Sequence, residues 1–145
     1  MKIYLSKSNL CDPVVTSAVR KAIENNDHEL VEFRGGTYDI ANVLSCDMVI
    51  VVTSPNAGDN VNENMRKLGR GVYNEVKNSL KRDIPVKIVL AESNGALHVC
   101  DVIKVKPFNT NDWKTEYGIL THNPVGVDLQ TVLNRSEEEI LLAGN

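Results

Sequence analysis

The segment Asp47–Thr53, DMVIVVT, holds an unbroken apolar run. Successive strand residues point to opposite faces of a sheet. A strand with no polar alternation must therefore be covered on both sides, which places it in the middle of a sheet with helices above and below. The run is too short for the other way of hiding an all-apolar segment. No apolar stretch in the chain nears the about 20 residues needed to cross a bilayer.

The flanking sequence supplies the covers. Lys2–Ser6, KIYLS, reads as a first strand. A helix follows in CDPVVTSAVRKAIENN, with Asp12 as N-cap and Pro13 at the first helical position. Its apolar face is Val14, Val15, Ala18, Val19, Ala22 and Ile23. His28–Phe33 reads as a second strand, RGGTY as a loop and Asp39–Ser45 as a short helix. Ser54–Leu68 is polar and Asn-rich, longer than most connections, and reads as a loop. Gly69–Leu80, GRGVYNEVKNSL, is a glycine-led helix with Val72, Val76 and Leu80 facing inward. Ile84–Ala91 and Val99–Lys106 read as the fourth and fifth strands.

Strands alternating with helices predict an α/β fold. The expectation is a single doubly wound domain over residues 1–145, with a mainly parallel, Rossmann/flavodoxin-like sheet of about five strands. The pattern weakens after Pro107. NTNDWK suits one helical turn, YGILT a short strand and THNPVGVD a loop. The tail LQTVLNRSEEEILLAGN suits a short helix or a segment packed on a neighbouring chain, since Leu129, Val132, Leu133, Ile140, Leu141 and Leu142 are too apolar for a free end.

Composition removes several function classes. The net charge is −3, with both signs mixed, so no nucleic-acid polymer or membrane surface is expected as partner. Cys11, Cys46 and Cys100 are odd in number and form no CxxC pair, which favours a reduced, cytoplasmic setting. No leader is expected ahead of KIYLS. His28, His98 and His122 show no ligand spacing, so neither a metal nor a cofactor is expected. RGGT lacks the spacing of a phosphate or dinucleotide loop.

In sheets of this kind ligands bind beyond the carboxyl ends of the strands. That rule gathers the SKSN loop (Ser6, Lys7, Ser8, Asn9), Tyr38 of RGGTYD, Thr53 and Ser54 of TSPNAG, and Gly69, Gly71 and Glu75 at the start of the glycine-led helix. Three stretches of this set, MKIYLSKSN, DIANVLSCDMVIVVTSP and GRGVYNEVKNSL followed by RDIPVKIV, resemble the nucleoside 2-deoxyribosyltransferase family, which includes the 2′-deoxynucleoside 5′-phosphate N-hydrolases. The resemblance covers Met1 to roughly Ala91. It implies Glu75 as nucleophile, Asp39 as acidic partner, Ser54 near a 5′ group, and a homo-oligomer whose pockets a neighbouring subunit completes. The chain departs from the pattern in the extra residues before Gly69 and in Lys7 and Ser8, where many relatives carry Gly and Pro.

The residue types suit the chemistry. Breaking an N-glycosidic bond develops positive charge on the sugar, and a carboxylate below the anomeric carbon stabilises it or attacks it. A second acid then serves the departing base, by analogy with retaining glycosidases. A position near the helix N-terminus would favour a charged Glu75. Blander roles stand beside these. Glu75 suits a solvated helix residue, Asp39 an N-cap, Asp47 a structural turn, and Lys7 and Arg34 solvated loop charges. Tyr38 and Tyr73 suit either stacking on a base or packing. The expected function is cleavage or transfer at the N-glycosidic bond of a (deoxy)nucleoside or nucleotide. The alternatives are a non-enzymatic module binding a nucleotide or ADP-ribose-type ligand, and a TIR-like NAD glycohydrolase.

Overall fold

The structure is a computed structural model and describes residues 1–7, 12–52, 65–91, 94–111, 114–121 and 127–134. In chain order the elements are β1 (Lys2–Lys7), α1 (Pro13–Asn25), β2 (Glu29–Val31), α2 (Ile40–Leu44), β3 (Met48–Val52), β4 (Met65–Leu68), α3 (Arg70–Lys81), β5 (Val86–Ala91), β6 (Leu97–Asn111), β7 (Lys114–Thr121), β8 (Val127–Asp128) and α4 (Leu129–Leu133).

The fold is α/β around a mixed sheet. β2, β1, β3 and β5 run parallel, in that order. β6 joins β5 antiparallel, and the short β8 joins β6, which makes six strands rather than about five. The far part of β6 carries a second antiparallel ladder with β7, and β7 pairs with β4.

The apolar run of β3 behaves as its composition demands, since all five of its residues are buried. Met48, Ile50 and Val52 join a core with Ile3, Leu5, Val19 and Ile23 beneath α1 and α4. Val49 and Val51 join the opposite core with Val43, Val72 and Val76 beneath α2 and α3. Each fully buried aliphatic side chain contributes about 1.5–3 kcal/mol relative to exposure.

Local signals placed the helices. Asp12 accepts from the Val14 amide at 2.9 Å, with Pro13 opening α1. Asp39 caps α2 through the Ala41 amide at 2.9 Å. Asp47 takes a structural role: its carboxylate accepts from the Lys2 amide at 2.8 Å, tying the start of β3 to β1. Val72 and Val76 are buried on α3 and Leu80 is partly buried, as the apolar ladder required.

Three expectations beyond β3 are corrected, and one of two alternatives is selected. Met65–Leu68 form β4, although the stretch carried no strand signal and had been assigned to loop. Asn109–Asn111 continue β6 and Lys114 opens β7, so the described residues of NTNDWK are strand rather than a helical turn. Val127 and Asp128 of THNPVGVD pair with β6. Leu129, Val132 and Leu133 of the tail lie in α4 and pack on this chain's own core, where the His28 ring bonds the Leu133 carbonyl at 2.8 Å. Ile140, Leu141 and Leu142 lie outside the described residues. No helix among the described residues is long and apolar enough to cross a membrane.

Candidate active site

The chain leaves β1 toward β2 on one side, and β3 pairs on the other. A crevice opens outside the carboxyl ends of strands where the order divides in this way. α3 closes it. Gly69 is the N-cap of α3 and supplies no side-chain capping bond. Gly69, Arg70, Gly71, Val72, Asn74 and Glu75 of α3 line a cavity of about 530 Å³ together with Tyr4, Leu5, Lys7, Phe33 and Tyr38.

Glu75 is the polar centre of this wall. It is only 5% exposed, which is costly for a carboxylate without partners. Its partners are hydroxyls. Ser6 Oγ donates to Oε1 at 2.8 Å, and Tyr38 Oη donates to Oε2 at 3.2 Å. The Tyr4 hydroxyl lies close enough to feel the charge of this carboxylate. A carboxylate only accepts, so O–H donors complement it. Among the described residues, no cation lies in ion-pair range of Glu75. Ser79 Oγ donates to the Glu75 carbonyl at 2.7 Å and fixes the backbone beneath the side chain.

Burial, and after it the nearby Glu75 carboxylate, push the Tyr4 phenol far above the usual tyrosine range. Burial and the same charge push Tyr38 up as well. Both phenols therefore remain donors across the physiological range. Glu75 is the sixth residue of α3, beyond the first turn in which a helix end acts strongly, and hydroxyls donate to both of its carboxylate oxygens.

Phe33 and Tyr38 form the aromatic wall, edge to face with centroids 5.4 Å apart. Gly35 and Gly36, with φ of 99° and 83°, turn the loop that carries Tyr38 back over the crevice, a conformation that side chains resist. The base of this loop is pinned by Arg20, whose guanidinium grips Glu32 at 2.9 Å through two nitrogens. That bond holds the Glu32 carboxyl below the usual carboxylate range.

A second cavity of about 240 Å³ lies on the other side of this wall. Glu32, Arg34, Asp39 and Asn42 line it, and it shares Tyr4, Phe33 and Tyr38 with the first. Asp39 and Glu75 thus face different compartments with Tyr38 between them. Asp39 is exposed and already serves as the α2 cap.

The remaining sequence candidates divide clearly. Gly69, Gly71, Tyr38 and Lys7 line the larger cavity. Ser6 is fully buried and bonds Glu75 rather than lining that cavity. Tyr73 lies beneath the Lys77 ammonium, 5.8 Å from its ring centroid, and is not part of the cavity wall. Ser8, Asn9, Thr53 and Ser54 lie outside the described residues. Among the described residues no three His, Cys, Asp or Glu gather as a metal-ligand set.

Tyr4, Phe33 and Arg70 were not among the sequence candidates. For Tyr4 a signal existed. It stands two residues before Ser6 in one strand, so both project to the same face, the one covered by α3. No protein family, curated protein or solved structure matches this chain.

Proposed function

We propose that the protein cleaves or transfers at the N-glycosidic bond of a (deoxy)nucleotide, with Glu75 as nucleophile, in the manner of nucleoside 2-deoxyribosyltransferases and their N-hydrolase relatives. One observation carries this proposal above the others: a buried carboxylate with no cation partner among the described residues faces a cavity that also offers an aromatic wall and two cations, Lys7 and Arg70. A structural carboxylate buried this deeply would be expected to be paired with a cation. The sheet order β2-β1-β3-β5, with cores on both faces, supports reading the fold as doubly wound and flavodoxin-like.

In the proposed reaction the base stacks against Phe33 and Tyr38, and an anionic 5′ group meets Lys7 and Arg70. A Glu75 oxygen forms a bond to the anomeric carbon. The carbon–nitrogen bond breaks, and its electron pair leaves with the base, which takes a proton from solvent; for Asp39 to serve as the acid instead, the Phe33–Tyr38 wall between the two cavities would have to open. Water then attacks the glycosyl ester and releases a proton to solvent to give hydrolysis, or an acceptor base attacks it and releases its ring N–H proton to give transfer. Either step returns the Glu75 carboxylate. No cofactor enters the scheme. The chain is also proposed to work as a cytoplasmic homo-oligomer, a state that light scattering at micromolar concentration checks.

A second possibility has one observation in its favour. Tyr38 occupies Oε2 and narrows access to Glu75, which suits a module that binds a nucleotide or ADP-ribose-type ligand without turnover. The deciding experiment incubates the protein with deoxynucleosides, deoxynucleoside monophosphates and NAD, with and without a free base, and follows base release chromatographically and binding calorimetrically. Base release from the monophosphates is expected. Cleavage of NAD alone would instead support the TIR-like alternative. Binding without turnover would leave the non-enzymatic module.

A further inference from the structure

We infer that Ser6 is a positioning residue for Glu75: it tethers Oε1 and thereby leaves Oε2 as the oxygen presented to a ligand. The inference deepens the glycosidic reading of the cavity and rests on it for its catalytic consequence, while the tether itself stands on geometry alone.

The two oxygens of Glu75 are held from different kinds of structure. Oε1 is held by Ser6, which is 0% exposed near the end of β1 and in parallel register with Val51 of β3. A serine hydroxyl has one proton to donate, and this one is committed at 2.8 Å to Oε1. Ser6 does not line the cavity, so an entering molecule does not compete for it. Oε2 is held by Tyr38 at the longer distance of 3.2 Å. Tyr38 is 46% exposed, and its loop passes through the left-handed glycines Gly35 and Gly36.

An entering ligand displaces the weaker, more exposed contact first. Rotating Tyr38 aside frees Oε2, while moving Ser6 would require distorting a central strand. Ser79 bonds the Glu75 carbonyl and holds the helix backbone from which the side chain projects. Reaction rates are sensitive to such placement, because misplacing a reacting atom by about 1 Å can cost about a hundredfold.

The test uses the full chain with carbon-13 at the glutamate carboxyl carbons, and the Glu75 resonance is assigned by its loss in Glu75→Gln. Ser6→Ala is expected to shift or broaden that resonance, and Ser6→Thr, which keeps a hydroxyl, to leave it near its wild-type position. With the substrate found for the wild type, Ser6→Ala is expected to lower kcat about 10- to 100-fold with KM nearly unchanged, and Ser6→Thr to restore most of it. Should Ser6→Ala fail to fold, Ser6→Cys, close in shape and a much weaker donor, takes its place. An unmoved Glu75 resonance in a folded donor-deficient variant overturns the tether. A moved resonance with unchanged kcat overturns the positioning role. Absence of all turnover in the wild type rejects the glycosidic reading separately, and the resonance still decides the tether.

Discussion

Ser6 and Glu75, 69 positions apart in the chain, meet at 2.8 Å in a bond closed to solvent. The contact joins the central strand β1 to helix α3 through a carboxylate that Tyr38 also holds. The hydroxyls answer the burial cost of Glu75 without neutralising it, as an ion pair would.

Glu75→Gln should abolish the chemistry while sparing the fold. Glutamine keeps the shape, and the surrounding hydroxyls can turn to donate or accept. Turnover of the deoxynucleoside monophosphate should fall at least about a hundredfold, the scale for losing a key catalytic group. The melting temperature should stay close to wild type. Near-normal turnover in a folded variant would remove Glu75 from the mechanism.

Tyr38 separates two effects. Tyr38→Phe keeps the ring against Phe33 and removes only the hydroxyl on Oε2. Since an entering ligand must break that bond, kcat is expected to change little and KM to stay level or fall. Tyr38→Ala removes the aromatic wall and should raise KM about 2- to 12-fold, matching about 0.5–1.5 kcal/mol of lost ring contact. Steady-state kinetics on both variants checks the contrast, and a large fall in kcat for Tyr38→Phe would contradict it.

Gly71→Ala should trade affinity for stability. A Cβ at Gly71 meets nothing within 4 Å, and φ there is not in the left-handed region. Alanine inside a helix gains roughly 0.5–1 kcal/mol over glycine. The added methyl also narrows the cavity that Gly71 lines, so KM should rise. A thermal melt beside a kinetic assay reads both effects, and a destabilised Gly71→Ala would mean that this helix start is wrongly described.

The Arg20–Glu32 clamp predicts a pH dependence. Arg20 holds the folded-state Glu32 below the ordinary glutamate value of 4.5, so this pair's stability is present above that value and is lost as pH falls beneath it. Arg20 is 32% exposed, and water screens part of the interaction. Arg20→Ala should cost roughly 1–3 kcal/mol near neutral pH and flatten the acid limb of the stability profile. Denaturant titrations of both proteins between neutral pH and pH 3 provide the check, with unchanged acid limbs as the contrary result.

The core predicts graded costs. Ile50 is fully buried in β3, and Ile50→Ala should cost about 2–5 kcal/mol. Leu80 is only partly buried, so Leu80→Ala should fall at or below the lower end of that range. Equal losses in chemical denaturation would show that the face of α3 has been misplaced.

Much of the architecture is legible without coordinates because its causes are local. An apolar run marks β3 as central, Asp12 with Pro13 opens α1, Asp39 caps α2, and a four-residue apolar ladder turns Val72 and Val76 inward. Those signals act over a few residues and survive in any fold that contains them. The strand order, the long β6–β7 ladder and the return of Leu129–Leu133 to the core are long-range outcomes. No local pattern selects which edge a polar strand such as β4 joins. The site belongs to the same class. The sequence shows a glutamate on a helix, a serine and a tyrosine in a strand, and a second tyrosine in a glycine loop. Only tertiary packing brings the hydroxyls of Ser6 and Tyr38 to one carboxylate, with Tyr4 close by, because a side chain's bonding partner depends on which elements pack together.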